Sequence, residues 1–414
     1  MSTEGRSAES SPARAEPIES AGFVHVVTRA DGDALAASGL LASTLADRGT
    51  PYQVSVGRTV ADRTERVRDR DHAPDDVTIA VGAVDGSDAD VARLDADDRP
   101  ATLVALEIAD ALSLETTPDY GLALAGLVAA GVEPGAGESE WVLETARTQG
   151  LVERRPGVAV PTADPVDGLA HSTRLRAPWS GDPDATRDAL AGLEVDLDAP
   201  ETVDADDRRA IGSVVAIDVV GDADAAPAAA ETIGHALRPY ATPDGPFATV
   251  GGYADVLEAT ARVEPGTGAA LAMGHTARGP AIDAWREHGR TAHTALESAS
   301  TGRYDGLFVV GIDDGPVETV ARLGVGYCSP EPTVLAVSEG ADPTSDRPDD
   351  AVGEAAIVTR EDDALDATVE AVARELEDVG IDDVAYDGGR RRGYLRYNPD
   401  VDQSTIVQIV RELR

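Results

Sequence analysis

Two carboxylates one residue apart follow the first apolar run of the chain, in Thr28-Arg29-Ala30-Asp31-Gly32-Asp33-Ala34. If the backbone stays extended there, Arg29, Asp31 and Asp33 alternate onto one face. Two acids so placed could hold a divalent cation such as Mn²⁺ or Mg²⁺ through oxygen ligands. The same residues also suit a strand–helix turn whose Asp33 caps the helix, and short motifs match by chance often enough to favour that plainer reading when they stand alone. Arg29 weighs against a metal. A guanidinium has no lone pair to give, stays charged, and can neutralise neighbouring carboxylates in forked hydrogen bonds. A second cluster lies near the C-terminal end, where Gly388-Gly389-Arg390-Arg391-Arg392-Gly393-Tyr394-Leu395-Arg396-Tyr397 interleaves arginines with tyrosines. Such a run suits phosphates and stacked bases, or equally a hairpin whose arginines pair with surrounding acids. The remaining chemistry is thin. GVGYC and GGYAD lack the strand–turn–helix context of a nucleotide loop, and the seven histidines are scattered. Cys328 is the only cysteine, which excludes an intramolecular disulfide and a thiolate metal cluster.

The elements that must carry these residues follow from periodicity. Phe23–Thr28 is a short β-type run, and Ala34, Ala37, Leu41 and Leu45 recur behind it at helical spacing up to Gly49. PYQVSV and Val77–Val81 read as the second and third strands, with a polar Arg/Asp-rich helix or loop between them. Strand, helix, strand, helix is the pattern of a doubly wound, mainly parallel sheet, whose ligands bind at the strand ends, where Asp31 and Asp33 fall. Residues 157–206 are rich in Pro, Asp and Gly and read as a linker or irregular insertion; residues 232–300 read as helices almost throughout. A smaller C-terminal α/β lobe follows, with strands at 304–312, 333–337 and 355–359, a helix at 364–376, a hairpin at 384–397 turning through Gly388-Gly389, and a final helix after Asp400. The expected division is a disordered tail over 1–20, a first domain over 21–298 and a second over 299–414.

Composition sets the surroundings. The 414 residues carry a net charge of -41, and all 35 basic residues are arginine. The acids are spread along the chain, a pattern suited to high salt, where a Debye length of about 3 Å screens self-repulsion. Charge here reports solvent more than partner. With 42% hydrophobic but 4% aromatic residues, the core must be built from Ala, Val, Leu and Ile. No signal-peptide pattern and no membrane-length apolar run are present, so the expectation is cytoplasm, with no membrane partner.

Along about residues 22 to 400 the sequence resembles the archaeal RecJ-like members of the DHH phosphoesterase superfamily. Thr28–Ala34 resembles the family's T-H-x-D-x-D-G, keeping both Asp but not the His or the last Gly. YGLALAGLVAAG resembles a family helix that ends in Asp, with Ala130 at that place, and LAHSTRLRAPWSGD resembles the family's Ser-containing loop. Gly252–Arg262 is similar to the N-A-x-G-R helix, with Arg262 matching while Glu258 and Ala261 depart; Gly388-Gly389-Arg390 stands where the family has G-G-H. The resemblance implies a DHH-like domain followed by a DHHA1-like nucleic-acid-binding domain. It also implies a metal-dependent 5'-3' single-strand exonuclease using two Mn²⁺ ions, and partners among single-stranded DNA or RNA, GINS or other replisome proteins.

The departures point to lost chemistry. The tripeptide D-H-H is absent; Asp71-His72 comes before the third strand instead of after a later one, and the stretch from Gly86 to Pro100 looks too short for the missing strand and loop. Gly82-Ala83 replaces a further family ligand, with Asp85 close but late. The expectation is therefore no resident cofactor, a residual pair Asp31 and Asp33 blocked by Arg29, and nucleic-acid contacts from Arg262, Gly388, Gly389, Arg390, Arg391, Arg392, Tyr394 and Arg396. The alternative is a working exonuclease or phosphoesterase with an atypical Mn or Mg site drawing on Asp31, Asp33 and Asp85.

Overall fold

The computed structural model describes residues 11–69, 73–86, 91–94, 99–112, 117–338, 352–361 and 364–413; Asp71-His72 lies outside them. The chain divides into two compact units, Met1–Leu151 with Thr260–Ala281, and Val152–Ala259 with Ile282–Arg414. Among the described residues no helix is long and apolar enough to cross a membrane.

The first unit begins with α1 (Ser11–Glu19), where a disordered tail was expected. Ala15 and Ile18 anchor it, the latter 1% exposed in the core beneath the sheet, so the stretch has an apolar anchor that its Ser- and Glu-rich composition hid. Next come β1 (Phe23–Arg29), α2 (Gly32–Arg48), β2 (Tyr52–Gly57), α3 (Val60–Arg68), β3 (Asp76–Val81) and β4 (Val91–Arg93). All four strands are parallel, in the order β2-β1-β3-β4. The stretch from Gly86 to Pro100, which looked too short for a strand and loop, does hold a strand, the three-residue β4 at the sheet edge. Val24, Val26, Val27, Ile79 and Ala80 are fully buried, as central parallel strands covered on both faces require. α4 (Ala101–Leu112), α5 (Tyr120–Ala129) and α6 (Glu140–Thr148) complete the first segment. α2 ends where Gly49 turns into the left-handed region at φ 72° and returns its N–H to the Ala46 and Leu45 carbonyls.

In the second unit a two-residue pair, β5 (Glu153–Arg154) and β6 (Tyr240–Ala241), encloses α7 (Pro165–His171), α8 (Pro183–Leu190), α9 (Ala205–Gly221) and α10 (Ala229–Ala236). The stretch expected to be a linker or irregular insertion is thus packed structure. Asp164-Pro165 and Asp182-Pro183 each place a carboxylate at a helix N-cap and a proline just inside it, so the Pro and Asp content marks helix starts instead of loop. Val166, Leu169, Leu175, Trp179 and Leu190 are buried in one core cluster.

After α11 (Val250–Val263), α12 (Pro265–Ala272) and α13 (Arg278–Glu297), the chain builds a mixed six-stranded sheet from β7 (Ser300–Tyr304), β8 (Leu307–Ile312), β9 (Thr333–Ser338), β10 (Gly353–Thr359), β11 (Ala385–Gly388) and β12 (Arg392–Tyr397), in the order β11-β12-β10-β9-β8-β7. One face packs on α14 (Val317–Leu323), the other on α15 (Leu365–Asp378) and α16 (Gln403–Leu413). The expected class, α/β with a parallel N-terminal sheet and a separate C-terminal α/β lobe, is the observed one.

Candidate functional site

The strand ends of the first unit are where the sequence placed its chemistry. β1 stops at Arg29, and the chain turns straight into α2, so Asp33 lies in a helical first turn and the three side chains do not share an extended face. Asp31, not Asp33, caps α2: its Oδ1 accepts from Ala34 N at 2.8 Å, while Arg29 Nε donates to its Oδ2. Asp33 turns the other way. Its Oδ2 accepts from Ala101 N and its Oδ1 from Thr102 N, both at 2.9 Å, and its carbonyl accepts from Thr102 Oγ1. That carboxylate therefore caps α4, some seventy residues away in sequence, and gains from the positive end of that helix. Both residual acids are committed to helix N-termini.

Two more arginines converge here. Arg63 on α3 is fully buried and donates to the carbonyls of Gly57, at the end of β2, and Ala83, just past β3, at 3.1 and 2.9 Å. Arg262 at the end of α11 donates to the Ala30 carbonyl. Gly82, where the family offers a further acid, adopts φ 107°, and a Cβ there would stand 3.0 Å from Arg29 Cβ and 3.5 Å from Arg63 Nε. The Arg29 Cβ and the Arg63 guanidinium occupy the space that a side chain at this position would need. Burial, and then repulsion from Asp31, raise the Asp33 pKa above the usual carboxylate value.

A pair of divalent ions needs several anionic or imidazole ligands between them. Among the described residues no three His, Cys, Asp or Glu side chains are grouped to supply them. Asp85 is exposed, its backbone N–H held by Thr64 Oγ1, and Ala130 is the exposed C-cap of α5. The described residues do not fit a two-metal centre.

The second unit holds a polar cluster that sequence reasoning passed over. Asp255 on α11 is 1% exposed, and its carboxylate accepts from Ser172 Oγ, Thr173 N, Thr173 Oγ1 and Trp285 Nε1, at 3.0, 3.1, 2.5 and 3.0 Å. Arg322 on α14 donates to the Thr173 carbonyl and hydroxyl, Tyr327 Oη to the Arg174 carbonyl, and the His293 ring meets the Ser172 carbonyl. Burial lowers His293 to about 4. The Ser-Thr-Arg run in the sequence was the available signal.

The C-terminal hairpin forms as expected, with Gly388 and Gly393 paired across it. Arg390 and Arg391 are exposed at its tip, and their carbonyls accept from Leu365 N and Thr359 N. Gly389 N–H donates to the Arg392 carbonyl, and Arg392 lies 3.6 Å from Glu258, itself nearly buried. Arg396 is half-buried. Tyr394 departs from its expected role. It is 2% exposed, in the core against α14, with its hydroxyl donating to Glu354. Tyr397 is buried on the opposite face of the sheet. β12 lies inside the sheet, with α14 packed on the face that carries Tyr394 and α15 and α16 on the face that carries Tyr397, so neither ring is open to a base.

Among solved structures, CDC45 from Entamoeba histolytica matches 97% of this chain and 96% of its own, with a TM-score of 0.60 at 8% identity. A manganese-bound exonuclease RecJ aligns over 98% of this chain and 93% of its own, at 12% identity and a TM-score of 0.46. The CDC45 likeness shows the fold: the chain folds as that protein does. Residues 299–412 match the model for the C-terminal domain of the uncharacterized protein rrnAC1427. Uncharacterized protein rrnAC1427 of Haloarcula marismortui is itself 45% identical over 345 residues, 82% of this chain and 85% of that protein, and the chain belongs to its family.

Proposed function

We propose that the chain is a RecJ-like homologue that binds single-stranded DNA or RNA without efficient phosphodiester cleavage, serving as a replisome or repair scaffold. One observation carries this reading: Arg29 lies against Asp31 while Asp31 and Asp33 each cap a helix, so the acids that resemble metal ligands are already satisfied by the protein. The CDC45 fold is in keeping with it. On this reading the chain needs no resident Mn or Mg, and its protein partners are GINS or other replisome components, as the sequence resemblance implies. Nucleic acid would meet Arg390, Arg391 and Arg396, with Tyr394 acting only as support beneath them.

The test is direct. The full chain, in the salt that keeps it folded, is incubated with Mn²⁺ and end-labelled single strands. The expected result is binding without nucleotide release, identical for the wild type and Asp31→Ala. Degradation that disappears in Asp31→Ala, or stoichiometric Mn²⁺ retained through gel filtration, would overturn the reading in favour of an active phosphoesterase.

A further inference from the structure

We infer that the C-terminal sheet is built to continue into a second copy of this chain, through two-fold antiparallel pairing of β7 about Gly302. β7 is an outer strand of that sheet, hydrogen-bonded to β8 alone. Four of its five residues are exposed and Gly302 is half-buried, whereas the opposite outer strand, β11, has no exposed residue. The two-residue turn Asp305-Gly306, with Gly306 at φ 75°, makes Tyr304 and Leu307 a hydrogen-bonded pair. Alternation along the ladder then commits Ser300 and Gly302 to β8 and turns the N–H and carbonyl of Thr301 and Arg303 outward. Among the described residues no hydrogen bond reaches those outward backbone groups.

Sheet edges are commonly blunted by proline, a bulge or a charged side chain. β7 has neither proline nor bulge, and its one charge, Arg303, is drawn onto Glu331. Gly302 is a second, independent observation. Glycine weakens a strand interior, yet φ here is not left-handed and an added Cβ would meet nothing nearer than 3.6 Å, at the Tyr304 ring. Nothing among the described residues calls for glycine at that place, whereas close approach of another backbone does.

The register follows from the outward groups. Pairing about Gly302 sets Thr301 opposite Arg303 of the partner subunit, so every outward N–H and carbonyl of the strand finds a mate. The two Gly302 residues then meet as a non-hydrogen-bonded pair with Cα atoms about 4.5 Å apart. Centring on Arg303 would set two guanidinium groups face to face, and centring on Thr301 would leave Arg303 opposite no residue of β7. Tyr304, 37% exposed and stacked beneath Arg411 at 4.3 Å, would lie beside Ser300 of the partner subunit and cover the crossing. A net charge of -41 on each copy opposes association, and molar salt, with a Debye length of about 3 Å, screens that repulsion. The pairing is independent of the proposed function.

Sedimentation equilibrium of the full chain in molar potassium chloride tests it. Wild type should pass reversibly from monomer to dimer as concentration rises, and weakly, since a single edge strand is a small interface. Thr301→Pro removes an outward N–H and no bond within the sheet, so the dilute variant should melt with wild type and dimerise about tenfold more weakly or worse. The same register can be read without the proline. In a Cys328→Ser background, Gly302→Cys should form a disulfide-linked dimer on mild oxidation, because the paired Cα atoms fall in the range of about 4.4–6.8 Å that the bond spans. Ser300→Cys, which faces Tyr304 of the partner subunit instead of its own equivalent, should not. A wild type that stays monomeric at every concentration, dimerisation that Thr301→Pro leaves intact, or equal cross-linking at 300 and 302 would each overturn the pairing, the first leaving the edge to a different chain.

Discussion

Replacing Asp33 tests whether the residual acids are structural. Asp33→Ala leaves the Ala101 and Thr102 N–H groups, each now held at 2.9 Å, buried without an acceptor. An orphaned buried donor costs about 1–3 kcal/mol, and relief of a buried charge beside Asp31 offsets part of the sum. The net expectation is about 3 kcal/mol of destabilisation, in the upper range for a lost cap. Asp33→Asn keeps one acceptor oxygen and should cost about half as much. Urea unfolding by circular dichroism gives the size of the loss, and hydrogen exchange at the Ala101 and Thr102 amides shows whether it originates at α4. The pH dependence has a definite sign. Asp33 has a raised pKa in the fold, so the stability it contributes is present in acid and lost as pH rises through the folded value. Relative to Asp33→Asn, the wild type should therefore lose stability over that rise. A loss below about 0.5 kcal/mol for Asp33→Ala, or a Mn²⁺-dependent stabilisation of wild type that this variant abolishes, would refute the capping role.

Other consequences are as direct. His293, held near 4 by burial, should destabilise the fold progressively as pH falls from about 6.5 toward 4, because the unfolded chain takes up the proton first; His293→Gln should flatten that part of the stability–pH curve. Burial alone would raise Asp167, but hydrogen bonds from His171 and Arg286 hold it well below the carboxylate range, so Arg286→Gln should lower stability above about pH 4 and lose its effect in stronger acid. Because Arg286 is partly exposed, that loss should stay near 1 kcal/mol or less by denaturant titration. Gly39→Ala would drive a Cβ to 2.3 Å from the Ala272 carbonyl and should cost about 1–3 kcal/mol or more by thermal unfolding. Tyr394→Phe removes the hydroxyl bond to Glu354 and should cost about 1 kcal/mol while leaving oligonucleotide affinity unchanged; a loss of affinity would contradict the buried placement of the ring.

The sequence showed the fold where periodicity and punctuation agree. Phe23–Arg29 followed by the α2 spacing and Gly49, and the hairpin through Gly388-Gly389, were legible because each depends on neighbouring residues. Asp-Pro pairs misled, since the same two residues serve a loop or a helix start, and only the buried Leu169 and Leu190 behind them decide. Arg63 was missed inside a segment that looks polar, although Val60, Thr64 and Val67 mark a buried face at helical spacing that includes it. The partner of Asp33 could not be read at all, because nothing local ties it to Ala101 and Thr102. Tyr394 and Arg396 looked like a surface pattern because alternation alone does not say which sheet faces are covered.

The clasp formed by Asp33 bears on how relatives of this chain are compared. An aspartate pair at this turn has an architectural use of its own, capping two helices, so its presence in another sequence is not by itself a marker of a working enzyme. Position 29 carries the chemical difference: an imidazole has a lone pair to offer a metal, whereas the arginine found here has none and donates to Asp31.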